Sequence, residues 1–317
     1  MSAESKNGMM LVDKLAGMTS HDVVNFMRRR LKMRRIGHTG ILDPNATGLL
    51  VMLIGRGTLF SSLLIGMPKR YLARFAFGAA TDTYDVAGQI ISEADPGSLT
   101  QMKFEKLLEN YRGKIEQNIP PFSAAKRDGK TMHKMARKGK TINPGKKVVD
   151  IKEFTIEDFE WPEVGLAISC SSGTYVRSLA NQIGETLGCG GYLKSLRRVE
   201  VGPFSIENAQ TLEDISKSED PEEFILPLKE ALPTYPRVRI KPQYCGAVLL
   251  GRPFLKRYIG ENSYSGDGGE VSLLLDAEEK VLALAKLNML WRSLEKLSPS
   301  EIMGTYMRVI DEGCKRA

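Results

Sequence analysis

"GHTGILDPNATGLL", residues 37–50, sets three glycines, a histidine and one acid, Asp43, between an arginine-rich run and an apolar stretch. An isolated Asp-Pro reads first as an Asx-type turn, in which the Asp side chain bonds its own backbone. The competing reading is a carboxylate presented by a rigid loop. Gly37, Gly40 and Gly48 permit tight backbone paths and close approach, and Pro44 fixes the turn just after Asp43. A working carboxylate also needs a cation that favours its charged form, and Arg177 in "GTYVR" is a candidate. Nothing local places the two together.

Upstream of the loop, Thr19 and Ser20 are capping residues for a helix beginning near His21, with Asp22 in its first turn. Val23, Met27 and Leu31 fall on one face of that helix, leaving Arg28–Arg30 outward. Downstream, Leu49–Ile54 is apolar, and "YLARFAFG" (71–78) alternates like a half-buried strand, with "GQIIS" (88–92) as its neighbour. Phe104, Leu107, Leu108 and Tyr111 repeat at helical spacing after Thr100, and Gly113 stops them. Residues 126–147 show little periodicity and read as an extended excursion around a short helix. Strands return over Ile151–Trp161 and Leu166–Cys170. "GTYVRSLANQIGETLG" then turns into a helix whose Val176, Leu179, Ala180, Ile183 and Leu187 form one stripe. The irregular alternation is not a βαβ beat and points to an α+β chain, a mixed sheet flanked by helices. A compact β-rich module follows residue 233, after a linker around 225–236, with a hairpin turn over Asp276–Lys280.

Composition narrows the function. The chain has 317 residues, 42% hydrophobic, and carries a net charge of +7. The excess is clustered: "RRRLKMRR" (28–35) has six basic groups in eight positions, and residues 126–147 hold nine against the single acid Asp128. Solvated faces normally mix signs, so two same-sign clusters point to a polyanion, nucleic acid above all. Lys134, Arg137, Lys138 and Lys140 are the candidate backbone-binding residues of the second cluster. Four scattered cysteines read as reduced thiols, and three histidines without ligand spacing argue against a metal site. No window reads as a membrane span or secretory leader, so a cytoplasmic location is expected.

The motifs then converge. "GHTGILDPNATGLL", "KRY" (69–71), "TDTYDVAGQI" (81–90), "SSGTYVRSL" (171–179) and "LGCGGYLKSLRR" (187–198) resemble, in order and spacing, the bacterial TruB family of tRNA pseudouridine synthases, which modify uridine 55 of the T loop. The resemblance implies the pseudouridine synthase fold, a central, mostly antiparallel sheet with flanking helices, over residues 1–232. An RNA-clamping insertion lies at about 120–147. "LLGRPF" (249–254) resembles a PUA domain, implying a small β-barrel that binds RNA over 233–317.

It further implies that Asp43 is the catalytic aspartate and that Arg177 pairs with it. Tyr71 would stack on the flipped uracil and aid the late proton removal at C5. Tyr175 and Leu196 would line the nucleotide pocket, His38 would sit against the RNA loop, and Asp85 would hydrogen-bond the flipped base. The reaction breaks C1′–N1, turns the uracil and joins C5 to C1′, so no cofactor or metal is implied. The partner is the tRNA T arm, met by a monomer without guide RNA or protein partner, with assistance to tRNA folding as a further role. One departure is "GRGTLF" (55–60), where Leu59 follows Thr58 in place of the family's lysine. A non-enzymatic RNA-binding protein and the guide-dependent archaeal or eukaryotic relative are the alternatives.

Overall fold

The computed structural model describes residues 7–120, 126–127, 130–131, 145–265, 271–288 and 297–310. The large sheet is built from strands β1 (Gly8–Lys14), β2 (Thr47–Ile54), β3 (Lys69–Phe77), β4 (Gly113–Asn118), β5 (Lys146–Glu160), β6 (Glu163–Cys170) and β7 (Gly191–Val201). Their spatial order is β1-β2-β7-β3-β6-β5-β4, with short strands added along it. All of these neighbours are antiparallel except β2 and β7. The α+β expectation holds.

Sequence alternation explains the layers. In β2, Leu49, Val51 and Leu53 enter one apolar cluster, while Leu50, Met52 and Ile54 enter another. A strand covered on both faces has no polar side, which is why this stretch is uniformly apolar. One cover is helix α1 (Ser20–Arg30), whose Val23, Val24 and Met27 join the second cluster. Thr19 alone caps α1, in a reciprocal capping box with Asp22 that contributes about 1 kcal/mol. Ser20 is already helical and buried, and its hydroxyl serves a different task described below.

Strand β3 lies mid-sheet. Its Tyr71, Ala73, Phe75 and Phe77 share one cluster with Phe104 and Leu108 of helix α2 (Gln101–Leu108). Val176, Leu179, Ala180 and Ile183 of helix α3 (Val176–Leu187) close the same core.

Three local expectations change. Ile90–Glu93 does not join this sheet but pairs with Ala79–Thr81 as a separate ribbon, all four residues exposed. Strand β4 follows Gly113 directly; its polar alternation, mostly exposed, gives little apolar signal. Its partner β5 consequently starts at Lys146. The short helix expected within 126–147 lies outside the described residues, which there comprise a ribbon of Lys126–Arg127 with Lys130–Thr131 and the start of β5.

The C-terminal sheet contains β8 (Arg237–Ile240), β9 (Phe254–Leu255), β10 (Ile259–Ser265), β11 (Val271–Leu275), β12 (Val281–Leu287) and β13 (Ile302–Val309), ordered β9-β13-β12-β11-β8-β10. It curls around its own cluster of Val238, Ile240, Val248, Phe254 and Leu282, and the β11–β12 turn falls at Asp276–Lys280 as expected.

Residues 225–236, read above as a linker, are built into the fold. Leu226 and Pro227 pair with β1, and Leu228, Ala231 and Leu232 are fully buried with Leu273, Leu275, Val281 and Leu284 of the C-terminal sheet. Lys229 and Arg239 both bind Glu279, which holds its carboxyl down at about 2. Apolar burial on both sides, rather than a free connection, joins the two sheets.

Candidate active site

The loop carrying Asp43 is held by side chains distant in sequence. The Ser20 hydroxyl donates to the Leu42 carbonyl and accepts from the Leu42 N–H at 2.9 Å. The Lys14 ammonium, fully buried, donates to the carbonyls of Leu15, Met18 and Pro44. Gly17 N–H meets the same Pro44 oxygen at 3.0 Å. Arg198, also buried, donates from Nε to the Leu49 carbonyl at 2.7 Å, and from its two terminal nitrogens to those of Ile41 and Gly40. Gly48 is obligatory here: φ is +102°, and a Cβ would lie 2.2 Å from the Arg198 carbonyl oxygen. Buried carbonyls must be satisfied, and three of these donors are charged or polar side chains recruited for that purpose.

Asp43 is thereby fixed at the wall of a cavity of about 230 Å³ that it shares with Tyr71, Tyr175, Arg177 and Leu196. Its carboxylate lies 3.5 Å from Nε of Arg177, the carboxylate 44% exposed and the guanidinium 5%. Arg177 sits in the first turn of α3, a poor place for a cation beside the helix dipole. Asp43 on one side, and Asp85 at 3.6 Å with the Thr83 carbonyl at 3.0 Å on the other, offset that.

Tyr175 sits at the start of α3, and its backbone N–H and carbonyl are both clamped by the buried Gln117 amide on β4, at 2.7 and 2.9 Å. Tyr71 is buried, directly opposite Arg198 in the β3–β7 register. Burial pushes its phenol up, while the Arg198 charge and hydrogen bonding pull it back.

Two expected residues lie elsewhere. Asp85 is off the cavity wall: it accepts from Thr83 and from the Ala87 N–H and meets the site through Arg177 and, along the backbone, through Leu193. His38, on the short strand Ile36–His38 beside β2, also stands off the wall, and its Nδ1 accepts from the Gly40 N–H. Burial and the Arg198 charge hold its imidazole below the usual range, so it is neutral at pH 7. Lys134, Arg137, Lys138 and Lys140 lie outside the described residues. In the 28–35 cluster, half-buried Arg28 donates to the Ile36 carbonyl and half-buried Arg30 to those of Ile215 and Ser218, while Arg29, Lys32, Arg34 and Arg35 are exposed.

Sequence reasoning missed Lys14, Lys69, Gln117 and Arg198. Among the described residues, the buried lysines and arginines are Lys14, Lys69, Arg177 and Arg198, and all four stand at this cavity or the loop behind it. Burial pushes Lys14 and Lys69 down to about 8. Charge is expensive to bury, so four cations collected at one cavity and the loop behind it mark a working site rather than a packing solution. Among the described residues no His, Cys, Asp and Glu cluster is placed to hold a metal.

Residues 28–176 match the TruB family pseudouridylate synthase (N terminal domain), and residues 177–233 the tRNA pseudouridylate synthase B C-terminal domain. The fold and site define a pseudouridylate synthase. The chain belongs to the TruB family. It is 43% identical over 253 residues to tRNA pseudouridine synthase B of Aquifex aeolicus, covering 78% of this chain and 87% of the relative. The enzyme of the same name from Geobacter sulfurreducens is 34% identical over 291 residues, covering 90% and 96%. In fold, the chain is similar to a protein in the structure of an H/ACA RNP bound to a substrate RNA containing 2′-deoxyuridine. That likeness has a TM-score of 0.74 at 22% identity, covering 96% of this chain and 86% of that one.

Proposed function

We propose that this chain isomerises a tRNA uridine, that at position 55 of the T loop, to pseudouridine. The observation that carries the reading is a half-exposed carboxylate, Asp43, locked by its loop beside buried Arg177 at a cavity also walled by Tyr71. A base enters such a cavity only when flipped, and stacking on an aromatic ring at about 1–3 kcal/mol offsets much of the unstacking cost. Asp43 acts at the ribose–base junction, the C1′–N1 bond breaks, and the uracil turns. C5 then joins C1′ and the C5 proton leaves, with Tyr71 assisting and Tyr175 and Leu196 bounding the nucleotide. Every heavy atom is conserved, so the chemistry calls for no redox or group-carrying cofactor. Asp85 acts by holding Arg177, and His38 faces the RNA loop outside the cavity.

Residues 1–232 form the catalytic unit. The 120–147 insertion, through Lys134, Arg137, Lys138 and Lys140, grips the T-arm backbone, and 233–317 is a PUA-like RNA-binding module. Relatives at 34–43% identity named tRNA pseudouridine synthase B support a tRNA substrate; the enzyme is taken to be a cytoplasmic monomer that meets tRNA without a guide or protein partner and also aids its folding. The test is tritium release from C5-labelled uridine in a T-arm hairpin. Asp43→Asn is expected to abolish release while hairpin affinity stays within about tenfold (~1.4 kcal/mol), because phosphate contacts supply affinity. A hairpin with cytidine at position 55 should release nothing beyond background. Turnover by Asp43→Asn would overturn the assignment.

A further inference from the structure

Arg198 differs from the other buried cations. Arg177 faces carboxylates, Lys69 ends on carbonyls of the adjoining turn, and Lys14 holds the Asp43 loop at Pro44 without a link to Tyr71. Arg198 stands between the two groups that the proposed reaction needs. On β7 its register partners are Gly48 of β2 on one side and Tyr71 of β3 on the other. Its Nε and two terminal nitrogens reach three carbonyls of the Asp43 loop and the strand behind it. Tyr71, its cross-strand neighbour, lines the same cavity, and the Arg198 charge acts on its phenol. We infer that Arg198 is a positioning residue: one guanidinium fixes the backbone carrying Asp43 and orients Tyr71, so that nucleophilic and proton-accepting groups keep one separation through the reaction. The inference rests on the reading of Asp43 and Tyr71 proposed above.

Three features make a purely structural role insufficient. The side chain is 1% exposed, yet among the described residues no carboxylate pairs with it within 4.0 Å. Burying a guanidinium without a counter-ion carries a desolvation cost that its bonds to neutral carbonyls offset only in part, so stability alone does not account for the choice. The geometry also uses what only arginine has, a planar fork of five donors, three of which go to carbonyls at Gly40, Ile41 and Leu49. Finally, Gly48 is required to have no Cβ so that β2 can approach the Arg198 backbone. The close contact brings the guanidinium under the loop. A displacement on the order of 1 Å in a reacting group costs about 10²-fold in rate, and a charge bridging both groups is placed to prevent it.

The test compares Arg198→Met and Arg198→Lys with wild type in single-turnover tritium release at a temperature well below each variant's melting point. Hairpin affinity is measured in parallel. Arg198→Met is expected to lower the rate at saturating RNA by about 10²-fold or more, with affinity within about threefold. Arg198→Lys keeps the charge without the fork and should fall by about tenfold or more. A role in fold stability alone would leave the cost of removing the Tyr71 hydroxyl unchanged. Here the penalty of Tyr71→Phe should shrink to under threefold in the Arg198→Met or Arg198→Lys background. A folded variant of either kind turning over within threefold of wild type overturns the inference, as does an undiminished Tyr71→Phe penalty. If Arg198→Met does not fold, Arg198→Lys decides. Inert Asp43→Asn with active Arg198 variants would sink this inference and leave the proposed function standing; active Asp43→Asn would sink the function itself.

Discussion

A phenol in Tyr71's setting is neutral at pH 7, because burial disfavours the phenolate and Arg198 only partly compensates. In the proposed reaction the Tyr71 oxygen would take the C5 proton as a phenolate, its own proton having passed to solvent, and the guanidinium favours that charged form. Tyr71→Phe is therefore expected to slow C5 deprotonation by about 10²–10⁴-fold, the span of a general base, with a rearranged but undeprotonated product accumulating in single-turnover reactions. Tyr71→Leu should in addition weaken binding of the flipped uridine by about 1–3 kcal/mol. Wild-type turnover by the Phe variant would reduce Tyr71 to a stacking platform. Lys14 gives a prediction of a different kind. Its ammonium is pushed from 10.5 to about 8 in the folded chain, so between those values the unfolded chain binds more protons and stability from this group rises with pH. The difference in urea midpoint between wild type and Lys14→Met should shift in wild type's favour from pH 7 to pH 10. A constant difference would show that Lys14 does not titrate in that window. Neither Lys14 nor Arg198 was legible as a loop clamp, because their acceptors are backbone carbonyls up to 158 residues away and carry no side-chain signature. The pairing of Arg177 with Asp43 came through family resemblance; its residues alone offered only a candidate.

At the scale of elements, local physics was readable where it was local. The Thr19 cap, the apolar stripe of α3 and the alternation of β3 are each set by neighbours within a few residues. Strand β4 was not readable, since its edge position leaves most of it polar. The 28–35 run is in part structural: Arg28 and Arg30 lay their stems down and cap carbonyls, leaving Arg29, Lys32, Arg34 and Arg35 as its exposed charge. The contact most dependent on element geometry is Gly48 beneath Arg198. Gly48→Ala needs a strained positive φ and a Cβ 2.2 Å from a backbone oxygen, so β2 and β7 must part. A loss of about 2–4 kcal/mol in urea unfolding is expected, accompanied by lost turnover. A change under 0.5 kcal/mol would mean the strands separate without cost.

For the whole molecule, the cluster uniting Leu228, Ala231 and Leu232 with Leu273, Leu275 and Leu284 makes the two sheets thermodynamically one body. Calorimetry should record a single unfolding transition. Leu232→Ala, which opens a cavity in the shared cluster, should lower its stability by about 2–4 kcal/mol without splitting it. Two resolved transitions in wild type would show that the shared burial does not couple the sheets. The 225–236 segment was misread because its three prolines, Pro227, Pro233 and Pro236, resemble a linker, while its buried residues, Leu228, Ala231 and Leu232, span a single helical turn, too short to announce a core.

The tethering of the Asp43 loop also has a consequence for biosynthesis. Its acid is made early, but Arg177 and Arg198 are translated more than 130 residues later, and the contacts they make cannot be replaced by anything nearer. A nascent chain displaying residues 37–50 therefore carries the carboxylate without its cavity. Competence arrives only when β7 slots between β2 and β3, a late, long-range insertion that completes the sheet and the site together. On the proposed reading of Asp43, a chain truncated before β7 should release no tritium from the hairpin, whatever RNA it still binds.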